Sequence, residues 1–352
     1  MMRLAPGSSN YNKPCGKQGS TDTQRMRLIH ITDPHLSKLG KHTFASLRGK
    51  RRTGYLSWTH KRYFIHRRET LEQLIAAVRA ESADQLILSG DLVQIGLEDE
   101  IRQAGDWLAE LAPAQQIFLV PGNHDVYAKD SWANLRRHWN FVLPAAPNGF
   151  ADGPDSPYPK VRDFGRLRLI GVSSARVTPV FSARGALGHA QFDRLARLLQ
   201  ESREQGFLCG LVIHHPPLPG MAKWRKALKE VRALQSLIAA QQPAVVFCGH
   251  LHHNLDLAEG ASRVFCTASA SSVQSASYRL LDIEPAGQHW NIRMQLKSIA
   301  AAGGTSSAAF EVVHEQRWTV TSSPPFEAHA ACGAHQGTGH TQPPPAPPPP
   351  GS

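Results

Sequence analysis

Five short apolar runs, each closed by polar residues, limit the fold of this chain more than any other feature. The clearest is QIFLVPGNHDVY at 116–127, where an apolar run ends in Pro-Gly and continues into Asn123, His124 and Asp125. An apolar run that Pro and Gly interrupt predicts a buried strand and a turn. The same design recurs four times, with DPH at 33–35, GD at 90–91, HH at 214–215 and GHLH at 249–252. Open α/β sheets bind ligands at the carboxyl ends of their strands, so we expect all five motifs at that edge of one sheet.

Helical patterns between these runs indicate an α/β fold. In the segment 69–80, apolar residues recur with the spacing of one helix face, and similar patterns occupy 98–111, 190–201 and 221–240. Alternating apolar residues near 262–268, 278–283 and 289–297 predict antiparallel strands that close the domain. His30 falls inside the first apolar run, and we predict a core histidine there rather than a ligand.

The two ends of the chain carry no packing pattern. Residues 1–24 are polar and aperiodic, and the sequence ends in the polyproline stretch TQPPPAPPPPGS. We therefore predict a disordered tail at 1–24, one domain at 25–300 and a low-complexity, Pro-rich tail at 301–352. The 352 residues with 41% hydrophobic content are sufficient for a sizeable core.

Cysteine usage and hydropathy indicate a cytoplasmic protein. The five cysteines form no CxxC pair, and their odd number makes a poor disulfide framework, which favours a reducing compartment. The N-terminal residues contain no apolar signal-peptide core, and no window of 18 residues is uninterruptedly apolar.

Nearly the whole net charge of +11 falls in one basic insertion at 36–68. Residues 34–68 hold ten of the 39 lysines and arginines and no acidic residue, and the remaining 29 balance the 28 acidic residues of the chain. Large apolar side chains are interleaved with these charges: Phe44, Tyr55, Leu56, Trp58, Tyr63 and Phe64. A solvated basic loop is one interpretation. Because the insertion follows Asp33 and His35 directly, we favour a lip that gathers anionic substrates or a peripheral contact with an anionic membrane.

The five motifs together supply the ligands of a metal site, although each motif alone is a weak signal. They offer two or three carboxylates, one asparagine carbonyl and four or five imidazoles. This mixture suits first-row divalent ions such as Mn²⁺, Fe²⁺ or Zn²⁺ better than Ca²⁺ or a thiolate site. The ligands exceed the needs of one four-coordinate ion and suit two ions that share a ligand. Two such ions, about 3.5–4 Å apart, can generate hydroxide from water and assist in-line attack on phosphorus.

The order of the motifs resembles that of the calcineurin-like metallophosphoesterase superfamily. D-x-H, G-D, G-N-H-D, H and G-H-x-H follow one another over roughly residues 25–300, and their style is most similar to the bacterial class III cyclic-nucleotide phosphodiesterase-like branch. The resemblance implies a four-layer αββα sandwich. It also implies a dinuclear phosphohydrolase in which a metal-bound hydroxide attacks a phosphoester or phosphodiester.

The resemblance further implies a role for each matching position. The first metal would be held by Asp33, His35 and His252. The second would be held by Asn123, His214 and His250. Asp91 would bridge the two ions, and His124 would contact the scissile phosphate and assist the leaving group, so these two are the predicted catalytic residues. The HHPP form favours His214 over His215 as the ligand.

One position departs from the family pattern. Many members carry an acid three residues after the bridging Asp, which orients the catalytic histidine, whereas this chain has Gln94 there. We therefore expect another group to orient His124, either Asp125 or a backbone carbonyl.

Other functions stay open beside a phosphoesterase with a small anionic, phosphate-containing substrate. A pyrophosphatase for a nucleotide-linked lipid, such as UDP-2,3-diacylglucosamine, would use the basic insertion at the membrane surface. A non-catalytic metal-binding scaffold is a second alternative, but the complete ligand set argues against it. A nucleic-acid substrate is disfavoured because the charge lies in one segment rather than along a groove.

Overall fold

The computed structural model describes residues 25–36, 39, 42–145, 157–300 and 310–321. The predicted tail at 1–24 and the polyproline end of the chain lie outside the described residues. Within them, twelve strands form two six-stranded sheets. The helices are α1 (Lys50–Ser57), α2 (Tyr63–Ile65), α3 (Arg68–Ala80), α4 (Glu98–Leu111), α5 (Ser131–Trp139), α6 (His189–Glu204) and α7 (Val231–Gln241).

The first sheet joins a parallel half to an antiparallel half. Its spatial order is β12 (Phe310–Thr321), β11 (His289–Ile299), β10 (Ser277–Ala286), β1 (Met26–Ile31), β2 (Gln85–Leu88) and β3 (Ile117–Leu119). Strands β1, β2 and β3 are parallel, whereas β10 pairs with β1 in the antiparallel sense. The carboxyl ends of the three parallel strands therefore open at one edge of the sheet.

The second sheet is parallel at its centre. Its spatial order is β4 (Lys160–Phe164), β5 (Leu167–Gly171), β6 (Leu208–Val212), β7 (Val245–Cys248), β9 (Ser262–Cys266) and β8 (Leu255–Glu259). Strands β5, β6, β7 and β9 run parallel, and the two outer strands pair in the antiparallel sense.

Three apolar layers hold the sheets and helices together. Leu28, Phe118 and Phe247 belong to a cluster between the two sheets. Ile29 points to the other face of β1 and packs with residues of α3, α4 and α5, while a third cluster joins the second sheet to α6 and α7. Strands buried on both faces give continuous apolar runs, which is why the sequence predicted them. The predicted four-layer αββα sandwich is confirmed.

The structure differs from the sequence predictions at three places. The five motif-bearing strands belong to two sheets rather than one: β1, β2 and β3 to the first, β6 and β7 to the second. Helix α7 begins at Val231 rather than near 221, because residues 225–229 bond to the backbone of 183–185 instead. Strand β12 extends the first sheet beyond residue 300, where we had placed the end of the domain; it is an edge strand with many exposed polar residues, so its apolar signal is weak.

Candidate metal centre

The carboxyl ends of the parallel strands in the two sheets lie next to each other, and this brings the predicted ligands together. Asp33 follows β1, Asp91 follows β2, and His214 and His250 follow β6 and β7. Several bonds cross between the strand ends of the two sheets; for example, the His214 Nδ1 atom lies 2.7 Å from the Ser89 carbonyl, and the His250 backbone N–H donates to Asp33 Oδ2 at 3.0 Å. The site is therefore built from both sheets.

Two motif glycines allow this close approach. A Cβ atom at Gly122 would collide with the Asp91 carboxylate, and one at Gly249 would collide with the side chains of Thr32 and Asp33. Any larger residue would push the strand ends apart, which explains the glycine in GNHD and in GHLH.

The backbone of the predicted ligands is strained. Among the described residues, eight non-glycine residues have a positive φ angle, and five of them are predicted ligands: Asp33, His35, Asp91, His250 and His252. The left-handed region is unfavourable for side chains with a Cβ, and such outliers concentrate at functional sites because the surrounding structure holds them.

Three of the predicted ligands form the first cluster. His252 Nε2 lies 3.1 Å from Asp33 Oδ1 and 3.4 Å from His35 Nε2. The other ring nitrogen of His35, Nδ1, bonds to the Val93 carbonyl at 3.0 Å. A backbone carbonyl on Nδ1 fixes the tautomer that leaves the Nε2 lone pair for a metal.

The second cluster surrounds the Asp91 carboxylate. His214 Nε2 lies 3.3 Å from Asp91 Oδ2 and 3.2 Å from Asn123 Oδ1. His250 Nε2 is buried and has no hydrogen-bond partner in the described part of the chain. A buried imidazole nitrogen without a partner is costly, and a metal ion at this position would satisfy it. The donor set therefore fits a metal on an observation independent of the family pattern.

Burial and the Asp91 charge set the protonation of these imidazoles. Burial lowers the pKa of His35 and of His250 well below the usual histidine value, which favours the neutral ring that binds metals. Burial also acts against the charged form of His214, but the Asp91 carboxylate outweighs it and raises the pKa of His214 to about 9. A metal at the second cluster would thus displace a proton from His214.

Two other histidines have both ring nitrogens engaged. His215 Nδ1 lies 2.7 Å from Ser174 Oγ, and its Nε2 lies 3.1 Å from the Ala183 carbonyl. His30, fully buried, bonds to the hydroxyls of Ser89 and Thr267. These contacts leave neither histidine a nitrogen for a metal, as the sequence predicted for both.

A backbone carbonyl, not Asp125, contacts the His124 ring. His124 Nδ1 lies 2.5 Å from the Gln94 carbonyl. The Asp125 carboxylate instead accepts four backbone N–H bonds, from Gly122, Asp91, Leu92 and Val93, and so ties the GD turn to the GNHD turn. Of the two groups that we considered for orienting His124, the structure therefore favours the carbonyl.

Arg62 is a second neighbour of His124 that the sequence did not indicate. Its Nη1 lies 3.0 Å from His124 Nδ1 and from the Gln94 carbonyl, and its Nη2 donates to the Gly54 carbonyl at 2.8 Å. A guanidinium only donates, so His124 Nδ1 accepts from Arg62 when it carries no proton and donates to Gln94 when it does.

Arg62 lies in a helical cap that the basic insertion forms. The helical cap, residues 50–65, consists of α1, a π-helical turn at Trp58–Arg62 and α2. Arg51 joins it to the domain through Asp130 and the carbonyls of Ile95 and Gly96. Lys50 and Arg52 also bond within the protein, to Thr178 and the carbonyls of Ser182 and Leu47, so several of the ten basic residues at 34–68 make internal contacts.

His66 follows the helical cap and joins the first cluster. Its ring centroid lies 4.4 Å from that of His35 and 5.2 Å from that of His252. No polar motif marks this position, since the sequence around it is simply basic and aromatic; the one signal was a histidine in the insertion that follows DPH.

Comparison with known proteins identifies the family. A family model described as calcineurin-like phosphoesterase matches residues 26–254. The chain belongs to the calcineurin-like phosphoesterase family. It is thus a hydrolase of phosphoester bonds, as predicted. The matched segment contains the strand ends that carry the site described above.

Curated relatives and solved structures agree with this assignment. The chain is 26% identical over 253 residues to the 3',5'-cyclic adenosine monophosphate phosphodiesterase CpdA of Escherichia coli K12, covering 70% of this chain and 76% of the relative. It is 27% identical over 266 residues to the glycerophosphodiester phosphodiesterase GpdQ of Enterobacter lignolyticus, covering 74% and 82%. A dimetal phosphatase from Danio rerio has the same fold, with a TM-score of 0.50 at 15% identity over 85% of this chain and 99% of that one. The predicted likeness to the class III branch is confirmed.

The helices of the described residues do not reach across a bilayer. None of them combines the length and the apolar character that a membrane span requires.

Proposed function

We propose that this protein holds two divalent metal ions at its strand ends and hydrolyses a small phosphodiester. The position of Asp91 supports the proposal best. Its carboxylate belongs to two groups of metal-type ligands, one with His214 and His250 and the other with Asp33 and His35. A carboxylate common to two groups is what a two-ion site requires.

Each ion has its own ligands in this proposal. Asp33, His35 and His252 would hold the first ion. Asn123, His214 and His250 would hold the second, and Asp91 would be shared. The mixture of imidazole, carboxylate and amide oxygen suits Mn, Fe or Zn. When bound, such a pair activates water and neutralises phosphate charge.

His124 would stabilise the negative charge that develops on the substrate. Burial lowers the pKa of His124 to about 4, so the ring is neutral at pH 7. In the tautomer that this role requires, Arg62 donates to Nδ1 and the single ring proton lies on Nε2; a proton on Nδ1 would bond to the Gln94 carbonyl instead and leave none on Nε2. That N–H can donate to a phosphate or leaving-group oxygen. Asp91 Oδ1 accepts the His124 backbone N–H at 2.7 Å and keeps the residue beside the shared carboxylate.

The organic part of the substrate has a place beside the first cluster. A cavity of about 120 Å³ lies between the helical cap and α3, and its lining includes Trp58, Tyr63, His66 and Gln94. Aromatic walls suit a flat ring such as a nucleobase. Since relatives are named for a cyclic nucleotide and for glycerophosphodiesters, we place a cyclic nucleotide first and a glycerophosphodiester second.

Metal reconstitution with a substrate panel tests the proposal. The protein is stripped with a chelator, reloaded with Mn²⁺, Fe²⁺ or Zn²⁺, and assayed with 3',5'-cyclic AMP, a glycerophosphodiester and a phosphomonoester. We expect two ions per chain by elemental analysis and turnover of a phosphodiester that depends on them. Turnover that survives complete metal removal, or turnover of the monoester alone, would contradict the proposal.

The surface of the helical cap favours a lipid-linked pyrophosphate as the second candidate substrate. Phe64 is 59% exposed and Leu56 is 43% exposed, close in sequence to the exposed base Lys61. Apolar and basic groups together suit an anionic membrane surface. Co-sedimentation with anionic vesicles that Phe64→Ser abolishes would support this candidate, whereas a parent protein that stays in the supernatant would remove it.

A further inference from the structure

We propose that His66 is an additional ligand of the first metal ion, so that the basic insertion completes the site that the strand ends begin. The inference rests on the proposed function, because it assumes a metal at the first cluster. His66 lies outside the five motifs, and the family pattern assigns it no role.

The first argument is position. One ring nitrogen each of His35, His66 and His252 lies within 4.8 Å of the others. Three imidazoles at this spacing form one face of a coordination sphere, and His35 and His252 already face each other with Nε2 atoms 3.4 Å apart. The third ring approaches both of them.

The second argument is the hydrogen-bond chain behind the His66 ring. Ser269 Oγ donates to the Asp33 carbonyl at 2.6 Å, and Ser271 Oγ lies 3.3 Å from Ser269 Oγ. Since Ser269 has given its only proton to Asp33, its Oγ can only accept from His66 Nδ1, 3.2 Å away, and Ser271 Oγ lies 2.9 Å from the same nitrogen. The proton of His66 is thereby held on Nδ1.

The tautomer that results is the one a metal ligand needs. With the proton on Nδ1, the lone pair of His66 lies on Nε2. His35 and His214 have the same arrangement, with Nδ1 bonded to the carbonyls of Val93 and Ser89. Metal-binding histidines are generally held in this way by a partner on the other ring nitrogen.

The third argument is that His66 is held rigidly. Its backbone N–H donates to the Arg62 carbonyl at 2.9 Å, and it forms an isolated bridge with Ser272. The next residue, Arg67, donates its N–H to the Ser271 carbonyl at 2.9 Å. The end of the helical cap is thus fastened to the loop after β9, and His66 keeps its place without a metal.

A fifth protein ligand would make the two ions unequal. The first ion would have three imidazoles and two carboxylates, from Asp33, His35, His66, Asp91 and His252. The second would have two imidazoles, a carboxylate and an amide oxygen. We therefore expect the first ion to bind more tightly and exchange more slowly, and the second to keep more positions for substrate and water.

The test uses Zn²⁺ as the probe and compares the full-length parent with His66→Ala and His66→Gln. His60→Ala is the matched control, because His60 is an exposed histidine of the same helical cap. Zinc affinity is measured by chelator competition, and the ligands of the first ion loaded are counted by X-ray absorption. Circular dichroism and thermal unfolding verify that the variants fold.

We expect both His66 variants to bind the tighter zinc at least ~10-fold more weakly, with one imidazole fewer, and His60→Ala to match the parent. His66→Gln, which keeps much of the side-chain volume, guards against a fold defect in the alanine variant. If folded His66 variants keep the parent's affinity and imidazole number, the inference fails while the two-ion proposal stands. A parent that binds no zinc would overturn both.

Discussion

The strand-end residues and the helical cap both contribute to the candidate metal centre, but they differ in burial and in whether a sequence motif marks them. Most of the strand-end residues are buried, five of them have a strained backbone, and all stand in short motifs that follow buried strands. The helical cap is half-exposed and basic, and no motif marks Arg62 within it or His66 directly after it. Sequence motifs therefore identify the residues at the strand ends and miss the residues that the insertion adds to the site.

The strongest test of the strand-end side is Asp91→Asn. The amide keeps the shape but loses the charge that two ions would share, so activity should fall by at least ~10²-fold in a folded protein. Phosphodiester turnover of the metal-saturated variant measures this. Parental turnover in Asp91→Asn would mean that no shared carboxylate is needed.

A pair of histidine variants separates charge stabilisation from metal binding. His124→Ala should lose turnover by ~10²–10³-fold and keep its metal, because its Nδ1 bonds to Gln94 and Arg62 and the residue belongs to none of the groups of metal-type ligands. His250→Ala should lose metal as well, since it removes the buried Nε2 atom. Elemental analysis beside the assay distinguishes the two. Equal metal loss in both variants would show that this division of roles is wrong.

Arg62→Met tests the contribution of the helical cap separately from that of the strand ends. The variant removes the donor to His124 Nδ1, so the ring loses its orientation and kcat should fall by up to ~10²-fold with a smaller change in KM. Arg52→Met is the control, because Arg52 is an exposed arginine of α1 in the same helical cap and bonds to the Leu47 carbonyl rather than to His124. Arg62→Lys should recover part of kcat. A drop in thermal stability with unchanged kcat would show that Arg62 has only a structural role.

A smaller effect is expected from the exposed charges of the insertion. Replacing Arg48 and Lys61 by Ser spares the contacts of Arg51 and should lower kcat/KM for an anionic substrate at low salt. The difference should vanish as salt shortens the Debye length to ~8 Å. A double Ser variant at Arg197 and Arg232, exposed on α6 and α7, is the control. A salt-independent effect, or no effect, would show that these charges belong to a solvated surface and do not attract the substrate.

Gln94→Ala should have the smallest effect. The group that contacts His124 is the backbone carbonyl of Gln94, which alanine keeps. The side chain donates to the His35 carbonyl at 3.1 Å, and its Oε1 atom is buried without a partner among the described residues, so little is lost. Steady-state kinetics checks this, and a loss of kcat as large as that of His124→Ala would contradict it.

The strands and the strand-end residues could be predicted from the sequence because both depend on local order, whereas the four-layer sandwich followed from the resemblance of the motif order to a known superfamily. An apolar run ending in GD or GNHD fixes strand, turn and side chain within ten residues. The assignment of β6 and β7 to a second sheet could not be predicted in this way, since pairing depends on which apolar faces meet. The contact of Arg62 with His124 spans 62 residues, and that of His66 with Ser271 spans 205. Periodicity carries no information at such separations.

The π-helical turn at Trp58–Arg62 has a consequence for how the insertion tolerates changes in length. A π turn contains one residue more than an α turn, and each residue of a helix advances its direction by roughly 100°. Deletion of a single codon within 58–62 would convert the turn to ordinary α-helix. The outer half of the helical cap would then rotate relative to Arg62 and His66. The Arg62 guanidinium could no longer donate to the Gly54 carbonyl. We therefore expect a change of length within this one turn to separate Arg62 from Gly54 and His124.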